Sequence, residues 1–172
     1  PVAEQLDEIS KNVFQEHSKD NEIPHLTAIT VGDNPASLLY VTRKQEKALD
    51  LGVEFNWLKL DSNTSQETLE DVITTESEST DGLIIQLPLP SHLNPENAIN
   101  CIPHEIDVDG LTSHNLGSLF SDTYNLIPAT SLAVLELLNF YSIKTEDKNV
   151  VIAGRSRLVS APLAKILSSK SY

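Results

Sequence analysis

The sequence predicts an α/β protein built on a parallel sheet. Three features carry this: short β-branched runs alternate with stretches of helical periodicity, turn residues separate them, and one run is apolar enough to be covered on both faces. Val2, Leu6, Ile9, Val13 and Phe14 recur at three- and four-residue intervals, the apolar stripe of an amphipathic helix. A polar break follows at residues 19–22. Residues 25–31 (HLTAITV) read as a strand, ended by the turn Gly32-Asp33-Asn34-Pro35. A helix is expected over 36–51, closed by Gly52 where a left-handed cap belongs. Residues 53–60 (VEFNWLKL) have strand character. Residues 65–75 read as a helix with Ser65 as N-cap, and Thr68 stands where a capping box prefers Glu or Gln.

Asp81-Gly82 leads into a strand over 83–87 (LIIQL), and Pro88-Leu89-Pro90 forbids regular ladder pairing beyond it. Residues 94–101 form a helix with Pro95 at its first position. The stretch 103–121 is expected to be loop-like. A strong helix (131–141), a strand (149–153, NVVIA) and a helix from Ser160 complete the order.

Composition narrows the function. The 172 residues carry 25 Asp and Glu against 12 Lys and Arg, a formal net charge of −13. So acidic a surface repels phosphate backbones, which disfavours nucleic acid as a partner. No apolar run approaches the roughly 20 residues of a membrane span. The single Cys101 cannot form an internal disulfide, which fits a reducing compartment. Neither His104 nor His114 has the companions a zinc site needs, so no metal is expected. The amino end shows no basic and apolar leader, and the chain reads as a fragment of a longer protein.

Parallel sheets present ligands at the carboxyl ends of their strands, which directs attention to the loops after residues 31, 87 and 153. On a helix starting near Pro35, Tyr40 and Lys44 lie four apart on one face. A lysine beside a phenol and among apolar neighbours suits proton transfer, although on spacing alone an exposed, solvated lysine is the commoner case. Gln86 stands inside an otherwise apolar run, where it is either satisfied structurally or aimed into a site at the strand end. Asp107 and Asp109 sit two apart, and Gly110 after them allows a tight turn; they read either as exposed turn acids or as partners for an N–H-rich heterocycle. Residues 153–162 (AGRSRLVSAP) open a helix where a dinucleotide phosphate would sit. The stretch lacks G-x-G-x-x-G, and Arg155 offers a guanidinium suited to phosphate or to a nearby acid.

Five segments in order, VGDNPASLLYVTRK, DGLIIQLPLPSHLN, DVDGLTSHNLGSL, IPATSLAVLELL and VVIAGRSRLVSAPLAKIL, resemble the methylenetetrahydrofolate dehydrogenase/cyclohydrolase family and cover nearly the whole chain. The resemblance implies a three-layer αβα folate-binding domain over residues 1–127 and the beginning of a Rossmann-type NAD(P)-binding domain over 128–172. By the same resemblance Lys44 handles protons in the cyclohydrolase step, Tyr40 packs beside the folate and that lysine, and Gln86 supports the lysine. Leu87 joins Tyr40 and Gln86 in binding substrate, and Asp109 binds the pterin ring. Thr130, Gly154, Arg155 and Ser156 fall in the cofactor motifs, with Arg155 at the position associated with the 2′-phosphate of NADP.

The implied reactions are oxidation of methylenetetrahydrofolate with NADP, or NAD, and hydrolysis of the methenyl product. The alternatives are hydrolysis alone and a catalytically inactive structural or dimerising homologue. Arg43, Lys44 and Lys47 are expected to form the basic patch that an anionic folate needs. A homodimer, a fused formyltetrahydrofolate synthetase domain and a cytoplasmic or mitochondrial location are family expectations. Two departures stand out: Ser160 occupies a position where the family pattern has Gly, and residues 128–133 keep only Pro and Thr of P-C-T-P-x-G.

Overall fold

The computed structural model describes residues 2–17 and 23–169, so the polar break expected at 19–22 lies outside the described residues. The chain divides into two compact units, the first ending at Asp107 and the second beginning at Val108.

The first unit contains α1 (Val2–His17), β1 (His25–Val31), α2 (Pro35–Asp50), β2 (Glu54–Leu60), α3 (Gln66–Glu76), β3 (Gly82–Ile85) and α4 (Pro95–Asn100). The strands form a parallel sheet in the order β2-β1-β3, with Leu26 opposite Phe55 on one side and Gly82 on the other. Alternation along the strands makes three layers. Ile29, Val31, Leu83 and Ile85 pack with Leu69, Ile73 and Ala98 of α3 and α4. Ala28 and Ile84 point the other way and meet Val41 of α2. The central β1 is buried on both faces, which its continuous β-branched run anticipates.

Local chemistry fixes the element ends. Asn34 caps α2 by accepting from Ala36 N (3.0 Å) and Ser37 N (3.2 Å), with Pro35 in the first turn. Ser65 Oγ accepts from Thr68 N at 3.1 Å, and Gly52 adopts φ +79° behind α2. Both follow the sequence reading.

The strand expected over 83–87 stops at Ile85. Gln86 N still donates to Ile29 O at 2.9 Å, but Pro88, whose peptide with Leu87 is cis, has no N–H with which to carry the ladder further. Leu83 N donates to Ile106 O at 2.8 Å, and an isolated parallel bridge joins Leu83 to Asp107. The apolar stripe of α1 does not enter the core: Leu6, Ile9 and Val13 are exposed. The sheet is already covered by α2, α3 and α4, and charged side chains hold α1 to α2 instead.

The second unit contains α5 (Ser113–Phe120), α6 (Ala129–Phe140) and α7 (Ser160–Ser168), packed around Leu119, Leu135, Leu163 and Ile166. Two expectations are corrected here. Residues 103–121 are not all loop, because 113–120 form α5, with Thr112 Oγ1 accepting from Asn115 N at 3.2 Å. Poor helix formers such as Ser113, Asn115 and Gly117 hide the burial of Leu116 and Leu119, which drives this helix. Residues 149–153 are not a strand, and Val151 is 91% exposed. Among the described residues this unit contains no strand for NVVIA to pair with, and a lone run cannot satisfy its backbone as sheet.

Candidate active site

The site in the first unit is assembled at the carboxyl ends of the strands. Ser37, Val41 and Ala48 are the buried stripe of α2. Lys44 continues that stripe at the helical interval and is half-buried, while Tyr40 lies at its edge and is 58% exposed. Lys44 is thus partly shielded along its length. Ser37 Oγ donates to Leu87 O at 3.4 Å, which ties the first turn of α2 to the residue after Gln86.

Gln86 Nε2 donates to the same carbonyl at 2.9 Å, which fixes the amide plane. Its Oε1 is buried and, among the described residues, has no hydrogen-bond partner. An unmet buried acceptor costs about 1–3 kcal/mol, so the strand end holds an acceptor poised for a donor. The unmet Oε1 is what the reading of Gln86 as aimed into a site requires. A cleft of about 270 Å³ opens where the loops after β1, β2 and β3 converge, with Asp33, Ser62, Pro88 and Pro90 on its walls; Lys44, Tyr40 and Gln86 do not line it. Gly32 takes φ +79° there, and a Cβ on it would stand 3.4 Å from Ser62 Cβ.

The basic patch is smaller than expected. Lys47 Nζ bonds to Asp7 at 2.7 Å and lies 3.9 Å from Asp50, so it braces α1 instead of facing a ligand. The hydrogen bond to Asp7 raises its pKa. Arg43 is exposed. Cys101 is no nucleophile candidate, because burial and then the charge of Glu70 push its thiol up. Among the described residues no group of three His, Cys, Asp or Glu side chains could hold a metal.

Asp109 is half-buried at the start of the second unit, followed by Gly110 at φ +68°. A Cβ on Gly110 would run into Leu126, so this turn requires glycine. Asp107, which the sequence offers either as an exposed turn acid or as a partner for a heterocycle, is 2% exposed. Its spacing to Asp109 gives no signal of that burial, which comes from its bridge to β3. On the cofactor side, Thr130 lies exposed in the first turn of α6, and Gly154, Arg155 and Ser156 lie exposed before α7. Ser131 Oγ donates to Val159 O at 3.1 Å and links α6 to this turn. A guanidinium and two hydroxyls exposed at or before helix starts are donors that fit a nucleotide phosphate.

Comparison with known proteins places the chain in a family. Residues 1–109 match the tetrahydrofolate dehydrogenase/cyclohydrolase catalytic domain, and residues 128–172 match the NAD(P)-binding domain of the same family. The chain is 39% identical over 163 residues to the bifunctional protein FolD of Salinibacter ruber, covering 94% of this chain and 54% of that one. Against FolD of Streptococcus agalactiae the identity is 38% over 166 residues, covering 95% and 58%. A methylenetetrahydrofolate dehydrogenase structure from the silkworm Bombyx mori superposes with a TM-score of 0.93 at 36% identity, covering 98% of this chain and 59% of that chain. The Trypanosoma brucei dehydrogenase-cyclohydrolase, solved with NADP and an inhibitor, gives 0.91 at 29% identity, covering 97% and 58%.

Fold and site define a class: an α/β ligand-binding domain with its site at the strand ends, followed by residues of an NAD(P)-binding domain. Within that class the chain belongs to the tetrahydrofolate dehydrogenase/cyclohydrolase family. It spans little more than half the length of the curated relatives it matches. Among the described residues no helix is long and apolar enough to cross a membrane.

Proposed function

We propose that this chain carries the folate-side machinery for two reactions: oxidation of 5,10-methylenetetrahydrofolate with NADP, or NAD, and hydrolysis of the methenyl product to 10-formyltetrahydrofolate. The observation that carries this reading is the unmet Oε1 of Gln86 just past β3, in a chain whose half-buried Lys44 continues the buried stripe of α2. Relatives named as bifunctional FolD proteins support the pairing of reactions.

The bound nicotinamide supplies the hydride acceptor. The chain's own part in that step is orientation, with Tyr40 packing beside the folate, Leu87 adding apolar contact and Asp109 accepting from the pterin N–H groups. In the hydrolysis, the oxygen of water bonds to the methenyl carbon and loses a proton. The bond from that carbon to one ring nitrogen then breaks, the nitrogen takes up a proton, and the hydroxyl on the carbon gives up its remaining proton to become the formyl oxygen. Lys44 relays these protons, and Gln86 holds its ammonium group in line through Oε1. Thr130, Gly154, Arg155 and Ser156 serve the nucleotide, with Arg155 suited to a phosphate. We place the boundary between folate and nucleotide portions near residue 127. We also read the protein as a homodimer in the cytoplasm or mitochondrion, with or without a fused synthetase domain.

The test is Lys44→Ala in the intact protein, assayed for hydrolysis of methenyltetrahydrofolate and for reduction of NADP by methylenetetrahydrofolate. Hydrolysis is expected to fall by about 100-fold or more while reduction persists; unchanged hydrolysis would sink the assignment. Hydrolysis alone is a second reading, because that step needs Lys44 but no hydride acceptor. Hydrolysis without any NADP or NAD reduction would decide for it.

A further inference from the structure

The space that a Cβ would take on Gly154 is filled by the Ser160 hydroxyl, with Ser160 Cβ standing 3.5 Å away. Gly154 thus keeps its backbone bare, and a side chain six residues on covers it again from across the turn. Ser160 is half-buried, and among the described residues its hydroxyl makes no hydrogen bond. The start of α7 is otherwise engaged. Ala161 N donates to Ser156 O at 3.0 Å, Pro162 has no N–H, and Leu163 N closes the first turn on Val159 O at 3.0 Å. An arriving anion therefore meets fewer N–H groups than an open helix start presents.

We propose that Ser160 sets how closely a nucleotide phosphate approaches this turn, its hydroxyl acting as a lid over Gly154 that swings aside before the phosphate seats. The inference rests on the nucleotide-binding reading of residues 128–172. Dinucleotide turns use glycine because each missing Cβ lets the backbone come close to the pyrophosphate. Here the closest atom over the glycine is Oγ rather than Cβ. Removing the hydroxyl alone therefore opens the approach, and removing Cβ as well opens it further. Turning a hydroxyl held by no hydrogen bond out of its staggered well corresponds to about 3- to 10-fold in affinity. The adjacent Arg155 supplies the charge, so the lid weakens binding without abolishing it.

Calorimetric titration of the intact protein with NADP, and separately with NAD, without folate, compares the wild type with Ser160→Ala and Ser160→Gly. Both variants are expected to bind about 3- to 10-fold tighter, the glycine variant at least as tightly as the alanine one. Thermal melts followed by circular dichroism accompany the titrations. Glycine at a helix start costs some helix stability, and where Ser160→Gly fails to fold, Ser160→Ala decides. Weaker binding by Ser160→Ala overturns the lid and makes the hydroxyl a phosphate ligand, while unchanged binding makes it a bystander. If neither wild type nor variants bind either nucleotide, the lid falls together with the nucleotide reading. Wild-type binding with unaltered variants removes the lid alone.

Discussion

Residues 25–31 and 149–153 are both short β-branched runs, yet only the first is a strand. His25–Val31 has a parallel neighbour on each side, and its Ala28 and Ile29 are completely buried. NVVIA has no such neighbour among the described residues, and Val151 stands 91% exposed. Strand character is a property of the partners as much as of the run. The same contrast separates the two candidate sites. Lys44 and Gln86 stand on a helix and a packed sheet, whereas Gly154, Arg155 and Ser156 follow a stretch with no strand partner among the described residues.

The contrast breaks most visibly in stability. Ile29→Ala removes a fully buried side chain from the central strand and is expected to cost about 2–5 kcal/mol. Val151→Ala is expected to stay within about 0.5 kcal/mol. Urea unfolding of the two variants measures both. A large cost for Val151→Ala would mean that 149–153 are packed in solution, and the difference between the units would disappear.

A finer version uses the two buried polar atoms without a partner among the described residues, Thr27 Oγ1 in β1 and Gln86 Oε1 just past β3. Thr27 is completely buried within the sheet, so Thr27→Val relieves an unmet hydroxyl and is expected to stabilise the protein by about 1 kcal/mol with hydrolysis unchanged. Gln86→Leu is expected to hold or raise stability in the same melts while hydrolysis falls at least about tenfold, the trade of stability for activity that a working site makes. Full hydrolysis by Gln86→Leu would put Gln86 in the same structural class as Thr27.

Much of this was legible in the chain itself because the local signals agree with the packing. Asn34-Pro35, Ser65, Asn94-Pro95 and Gly52 mark helix ends that the caps and the positive φ then realise. The site lysine was legible only in part, since spacing places Lys44 beside Tyr40 but does not tell which face of α2 is buried. That face is set by Ser37, Val41 and Ala48 meeting the sheet. Three features were not legible, each for a tertiary reason. α5 is formed by burial against weak propensity, Asp107 is buried by its bridge to Leu83, and Lys47 is drawn away from the site by Asp7 some 40 positions earlier in the sequence.

The smallest expected effect concerns α1, where the difference between packed and unpacked recurs inside the first unit. Its apolar residues Leu6, Ile9 and Val13 are exposed, and it is tied to α2 through Lys11 to Asp50 at 2.9 Å and Lys47 to Asp7 at 2.7 Å. The hydrogen bond from Lys11 and then its charge lower the Asp50 pKa. That contribution is present above the ordinary carboxylate range and disappears as pH falls through the depressed folded value. The Lys47 pKa is raised, first by its hydrogen bond to Asp7. Its contribution is complete below the ordinary lysine range and is lost as pH climbs through the elevated folded value. α1 is therefore held best between the two limits, and weakly, because exposed pairs are screened by salt. A lone helix of this length is marginal in water, so release should appear as lost helicity. Circular dichroism titrated from acid to alkaline pH should show a small step at each end, shallower at high salt. Lys11→Ala combined with Lys47→Ala should lower the helicity already at neutral pH and abolish both steps. A double variant that kept wild-type helicity would show that α1 is held by something other than these charges, and that its outward apolar stripe is covered in solution.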